Sequence, residues 1–427
     1  MNQSKGTLWT TAEQRVLAAW DEQIDQRVSQ IAERLTAVRR HLHSHPEASG
    51  EERLTSRFLA AELESLDVAA RLGDNDLGVI ADWELGHVDS DTPLIALRAD
   101  IDALRIHDTK QVAYRSQAPG LTHACGHDAH ATLMLGTALA AAQISASPDD
   151  TSGVRLRLIF QPAEETTQGA RWLVKQGVMD GVDRILGVHV EPALDAGQVG
   201  IRYGTLTANC DELEILVTGQ GGHAARPFQT NDPIAAAVQL VSALYAQLPR
   251  AVDARKPAVF SIGRFSGGAA ANVIPERVEL NGCLRTTDAA TRAELHDRIR
   301  SVCSGIAASS GAQISVRFFN ALDSVVNDPQ TTTILEDACR HCLEPDKILR
   351  LDQPSMGGED FSVYQHHAPG AMLRLGSTPP GQSPTYLHTP DFDIDERILA
   401  TGVRIFLRTA LALALPSSRD SWGDHHA

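Results

Sequence analysis

Apolar residues Leu17, Ile24, Val28, Ile31, Leu35 and Val38 recur at helical spacing with charged positions between them. They predict a long amphipathic helix over residues 12–43, stopped by Pro46, and a second helix follows over about 51–66. Beyond it, short apolar runs alternate with helical stretches. Leu94–Leu97 reads as a buried strand with Asp100 just past its end, and 129–143 as an Ala/Leu-rich helix. Val154–Phe160 reads as a strand running into Gln161-Pro162-Ala163-Glu164-Glu165. Residues 169–177 read as a helix, and Ile185–Val190 as a strand carrying His189. This alternation predicts an α/β fold whose sheet is mixed but largely parallel and flanked by helices. In such sheets function collects beyond the carboxyl ends of the strands.

The texture changes near residue 205. Strands over Asp211–Thr218, Val259–Phe265, Arg277–Arg285 and Gln313–Phe319 interleave with helices over 232–247 and 289–307, and Gly219–Pro227 is a glycine-rich turn. That β-α-β-β-α-β order is the ferredoxin-like α+β unit. The pattern therefore divides into a catalytic domain at 1–204, an inserted lid or dimerisation domain at 205–320, and the rest of the catalytic domain at 321–427. Apolar residues on the 232–247 helix and an edge strand lead us to expect a two-fold homodimer through the insertion.

A chain of 427 residues has room for two domains. The net charge of −16 argues against nucleic acid, whose binding needs a basic face. The apolar run Leu133–Ala142 is too short to span a membrane, and Met1–Thr11 lacks the pattern of a secretion signal. Both Met1–Thr11 and Pro416–Ala427, with His425 and His426, are expected to be disordered. Six scattered cysteines are no disulfide framework and suit a reducing cytoplasm. Cys339 and Cys342 form a Cys-x-x-Cys with no second pair to complete a zinc site.

Cys125 alone has polar company, in His123-Ala124-Cys125-Gly126-His127-Asp128. Glu164, Glu165, His189 and His388 sit at the ends of separate apolar segments. Taken singly each has a bland reading: a solvated Glu pair, a satisfied core histidine, a loop histidine before Pro390, or a thiol nucleophile with a histidine base. Taken together they read as a hydrolytic metal centre, with Cys125, His127, Glu165, His189 and His388 as suitable donors and one carboxylate of the Glu164–Glu165 pair able to act as general base while the other binds metal. Asp100 is expected to orient a ligating histidine, and His130 to be structural or supporting.

Ordered motifs strengthen this. Arg39-Arg40-His41-Leu42-His43-Ser44-His45-Pro46-Glu47, Leu97-Arg98-Ala99-Asp100-Ile101-Asp102-Ala103-Leu104, the Cys125 stretch, Phe160–Glu165, Gly187-Val188-His189, Gly221–Pro227 and Gly357–Phe361 follow in sequence. Over about residues 30–412 the chain resembles the N-acyl-amino-acid amidohydrolases, which include hippurate hydrolase and the auxin–amino-acid conjugate hydrolases. These are a branch of the dinuclear-metal aminoacylase and carboxypeptidase superfamily. The resemblance implies two divalent ions per subunit (manganese, zinc, cobalt or nickel) bridged by Cys125, Glu164 as the general base, an N-acyl amino acid or small peptide as substrate, and His223 steadying the oxyanion. It further implies that Asn272 and Arg285 hold the substrate's carboxylate or carbonyl. One departure is Leu104-Arg105, where many relatives have Leu-Pro; it bears on acyl-group preference.

Overall fold

The structure is a computed structural model that describes residues 8–144 and 153–420. It forms two compact units. The first runs to Gly204 and resumes over Val326–Asp352 and from Val363; the second is Thr205–Val325 with Gln353–Ser362. Residues 353–362, which the sequence reading left in the catalytic domain, belong with the second unit. Backbone bonds hold them there, from Ser355 N to Leu206 O (2.9 Å) and from Ala208 N to Gly357 O (3.2 Å).

In the first unit, helix α1 (Thr11–Ser44) starts at a capping box in which Thr10 and Glu13 satisfy each other's backbone N–H groups. Helix α2 (Arg53–Glu64) packs on strands β1 (Ala70–Leu72) and β2 (Val79–Gly86). Strand β3 (Leu94–Asp100) is buried at every position, and so is helix α3 (His127–Ala141). A helix that is apolar all round must be enclosed. Here α1 and the helix Ile398–Ala414 enclose α3 in one layer against the sheet. The layer is close-packed: a Cβ on Gly136 would lie 2.5 Å from Leu35 Cδ2 and 2.7 Å from Val403 Cγ2.

Strand β4 (Gly153–Gln161), helix α4 (Gly169–Lys175), strand β5 (Arg184–Asp195) and the short β6 (Val199–Ile201) follow. The sheet has eight strands, ordered β1-β2-β4-β3-β5, then Gly370–Thr378, β6 and Ile348–Arg350. The central block β4-β3-β5-(370–378) is parallel, and antiparallel pairs lie towards the two edges. This is the mixed, largely parallel α/β sheet expected. Two details differ. β3 extends through Asp100, so that residue ends the strand. β5 runs on to Asp195, but β3 pairs with it only as far as Gly187, so His189 lies just beyond the reach of β3.

The second unit is a four-stranded antiparallel sheet, ordered 258–267, 277–286, 209–218, 313–322. Helices Pro233–Ala251 and Ala289–Ser310 pack on it and on each other, capped by Asp232 and Asp288. This is the β-α-β-β-α-β arrangement. Its edge strand Ala258–Gly267 is largely solvent-facing and carries an irregularity between Ile262 and Arg264.

Part of the C-terminal segment expected to be disordered is ordered. Pro416–Asp420 forms a helical turn, and Ser417 N donates to Glu13 Oε1 (2.8 Å) at the start of α1. The rest of the expected disorder, with His425 and His426, falls outside the described residues. Among the described residues no helix is long and apolar enough to cross a membrane.

Candidate metal centre

The centre grows from the turn that starts α3. Gly126 has φ +83°, and a Cβ there would lie 2.5 Å from Val190 Cγ2. Only glycine adopts this backbone while letting the turn lie against β5. Cys125 and His127 flank it, both buried. Two more donors come from strained backbone. Ala163 (φ +53°) turns the chain after β4 and delivers Glu164 and Glu165. His388 itself has φ +62°, and its N–H donates to Ala124 O (2.7 Å), which ties its loop to the Cys125 turn.

The imidazoles are held in one tautomer each. His127 Nδ1 donates to Asp102 Oδ1 (3.0 Å), so its Nε2 carries the lone pair. His189 Nδ1 donates to the Val190 carbonyl (2.7 Å), and its Nε2 stands 3.5 Å from Cys125 Sγ. His388 Nε2 lies 3.4 Å from Glu165 Oε1.

Two groups of donor atoms result, each within 4.8 Å of one another: Cys125, His127 and His189, and Cys125, Glu165 and His388. Cys125 belongs to both. Glu164 joins His127 and Glu165 in a further group. The structure thus brings Glu164 and all five expected donors together. A fourth group, Asp100 with His127 and His130, is different. His130 Nδ1 donates to Asp100 Oδ1 (2.6 Å) and its Nε2 accepts from Val190 N (2.9 Å), so His130 has no lone pair to offer.

The electrostatics follow from burial and charge. Burial and the nearby Glu165 push the Cys125 thiol well above its ordinary pKa. Burial alone would lower His127, but Asp100 and Cys125 carry it well above the ordinary value. His189 is held well below, by burial and then by Arg374. His388 is raised by its hydrogen bond to Glu165.

One expectation is corrected. Asp102, two residues beyond Asp100 on the same side of the chain, makes the bond to His127 Nδ1; Asp100 Oδ2 is 3.7 Å from His127 Nε2 and pairs with Arg98 Nη1 (2.7 Å). Asp102 Oδ2 also accepts from Glu165 N (3.0 Å) and Ser49 Oγ (2.7 Å). Sequence reasoning passed over Asp102 although both aspartates stand at the end of one apolar strand.

The other three candidates lie in the second unit. Gly222–His223 pairs with Val273–Ile274, and Ala224 N donates to Asn272 O (3.1 Å), so His223 and Asn272 sit on adjoining segments and are both exposed. His223 Nδ1 accepts from Ala225 N (3.1 Å). Arg285, on the strand Arg277–Thr286, is half-buried; a Cβ on Gly358 would lie 3.2 Å from its Nη1 and 2.7 Å from Cys210 Sγ.

The first-unit donors fit metal. His127 Nε2 is buried with no hydrogen-bond partner, a costly arrangement unless a cation satisfies it. Thiolate, imidazole and carboxylate together suit a pair of borderline divalent ions.

Comparison with known proteins agrees. The chain is 41% identical over 372 residues to a probable hydrolase of Synechocystis, covering 87% of this chain and 93% of that one. It is 38% identical over 383 residues to an N-acetylcysteine deacetylase of Bacillus subtilis, covering 88% and 96%. The crystal structure of the Bacillus subtilis YXEP protein, a dinuclear metal binding peptidase from the M20 family, superposes with TM-score 0.77 at 34% identity, over 90% of this chain and 99% of that one. Residues 96–412 match Peptidase family M20/M25/M40. With that match and its own paired donor groups, the chain belongs to this family and is a metal-dependent amide hydrolase.

Proposed function

We propose that this protein hydrolyses the amide bond of N-acyl amino acids, of the hippurate or acetyl-amino-acid type, to a carboxylic acid and an amino acid. The observation that carries the reading is Cys125 shared between two donor groups, beside Glu164. Bound through Cys125, His127, Glu165, His189 and His388, two divalent ions would polarise the scissile carbonyl and make hydroxide available near neutral pH. Glu164 takes the proton from the attacking water and returns it to the leaving nitrogen as the C–N bond breaks. His223 serves the oxyanion: because its Nδ1 accepts from Ala225, a neutral ring carries its proton on Nε2, as a donor. Asn272 and Arg285 receive the substrate's carboxylate.

The test is Glu164→Gln with metal content measured alongside. Hydrolysis of hippurate should fall by about 10²–10⁴-fold with both ions retained; a near-wild-type rate refutes the role. The family is described as one of peptidases, so a dipeptidase or small-peptide carboxypeptidase is the second reading. A panel of hippurate, N-acetyl amino acids and dipeptides separates the two.

The assembly belongs to the same reading. Val259 and Phe265 are exposed on the edge strand Ala258–Gly267, and Val238 and Tyr245 on the neighbouring helix, which supports a homodimer through the second unit. All six cysteines are free, which suits the cytoplasm.

A further inference from the structure

We propose that His130 is a positioning residue that serves one metal ion and not the other, by clamping the backbone of Val190, the residue whose carbonyl aims His189. The inference rests on the reading of His189 as a ligand. Val190 is gripped through both of its backbone polar groups. Its N–H donates to His130 Nε2 (2.9 Å), and its carbonyl accepts from His189 Nδ1 (2.7 Å). The direction of the His189 ring therefore depends on the backbone conformation at Val190, whose two flanking peptides carry these bonds. β3 has stopped pairing with β5 at Gly187, so no sheet partner from that side holds Val190. His130 takes that place.

The clamp is itself locked. Asp100 Oδ1 keeps the His130 proton on Nδ1 (2.6 Å), which leaves Nε2 as an acceptor. Arg98 Nη1 donates to Asp100 Oδ2 (2.7 Å), and Arg98 Nε donates to Gln161 Oε1 (2.8 Å). Arg98, Asp100 and Gln161 are wholly buried and His130 is 1% exposed, so water does not compete for these bonds. A histidine that merely filled core would not need a buried ion pair to fix its tautomer. The chain of bonds ends at His189, in the group with Cys125 and His127. Glu165 and His388 stand in the other group, with Cys125.

The test is stepwise zinc binding to chelator-stripped full-length protein by calorimetry, with bound metal counted after desalting. Wild type is compared with His130→Leu, His130→Gln and His189→Ala. We expect His130→Leu to bind one ion as wild type and the other about 10–100-fold more weakly. His130→Gln should restore the weak ion to within about threefold, since its amide can accept from Val190 and donate to Asp100. His130→Asn, too short to reach both partners, stands in should the leucine variant not fold, and should behave as His130→Leu. Unchanged binding of both ions in His130→Leu, equal weakening of both, or no rescue by glutamine overturns the proposal. The parent reading is judged separately. If His189→Ala keeps two tight ions, His189 is not a ligand; if it loses one while His130→Leu keeps both, only the positioning role fails.

Discussion

Glu52 offers a stability experiment whose sign and size follow from its surroundings. It is wholly buried, and its Oε1 accepts from Gly50 N (2.9 Å) and from Ala163 N (2.8 Å), the residue that turns the chain into Glu164. Its Oε2 has no hydrogen-bond partner. Burial, and then the charge of Asp102, raise its pKa from 4.5 to about 7. A carboxyl raised in the folded state keeps its proton while the unfolded chain has already lost it. Stability therefore falls as pH rises from about 4.5 to about 7 and levels off above that. The loss is roughly 3 kcal/mol at about 1.4 kcal/mol per pH unit. Glu52→Gln keeps the acceptor for both backbone N–H groups and removes the titration. Urea unfolding of the metal-stripped proteins between pH 4.5 and 8, followed by tryptophan fluorescence, measures the difference. The four described tryptophans (9, 20, 83 and 172) lie outside the second unit, so their signal reports on the unit that holds Glu52. The variant should gain on wild type by roughly 3 kcal/mol across that range. Parallel pH profiles for the two proteins would refute the reasoning.

Three further outcomes are expected. Gly126→Ala places a side chain at φ +83° against Val190, and should cost roughly 1–3 kcal/mol in unfolding and lose metal in the same titration used for His130. Asp102→Ala removes the bonds to both His127 and the Glu165 backbone, and should weaken both ions by about 10–100-fold, in contrast to the one-sided effect at His130. Phe265→Arg on the exposed edge strand should shift sedimentation from dimer to monomer at micromolar concentration; a dimer unaffected by it would place the interface elsewhere.

The donor positions were legible because their surroundings have a pattern. Cys125 and His127 precede an apolar helix, and Glu164, Glu165 and His189 follow or end apolar runs, so a period-two or helical reading carries the eye to them. What supports them was not legible, for a different physical reason. Asp100 and Asp102 are two apart, on the same side of an extended segment. Which one reaches His127 depends on where α3 sits above β3, a tertiary offset that no local pattern encodes. The strand Gly370–Thr378 was passed over because Arg374 interrupts its apolar run, yet it lies at the centre of the sheet and is buried throughout. Residues 353–362 carry no composition that assigns them to either unit; backbone bonds to Leu206 and Ala208 do so. The reading of His130, three positions from His127 on the same helix, as structural or supporting agrees with its bonds to Asp100 and Val190, but only those bonds identify what it supports and show that both nitrogens are engaged. A sequence displays which side chains are able to bind a cation; which of them retain a lone pair to do so is decided by their hydrogen-bond partners, and those are a property of the fold.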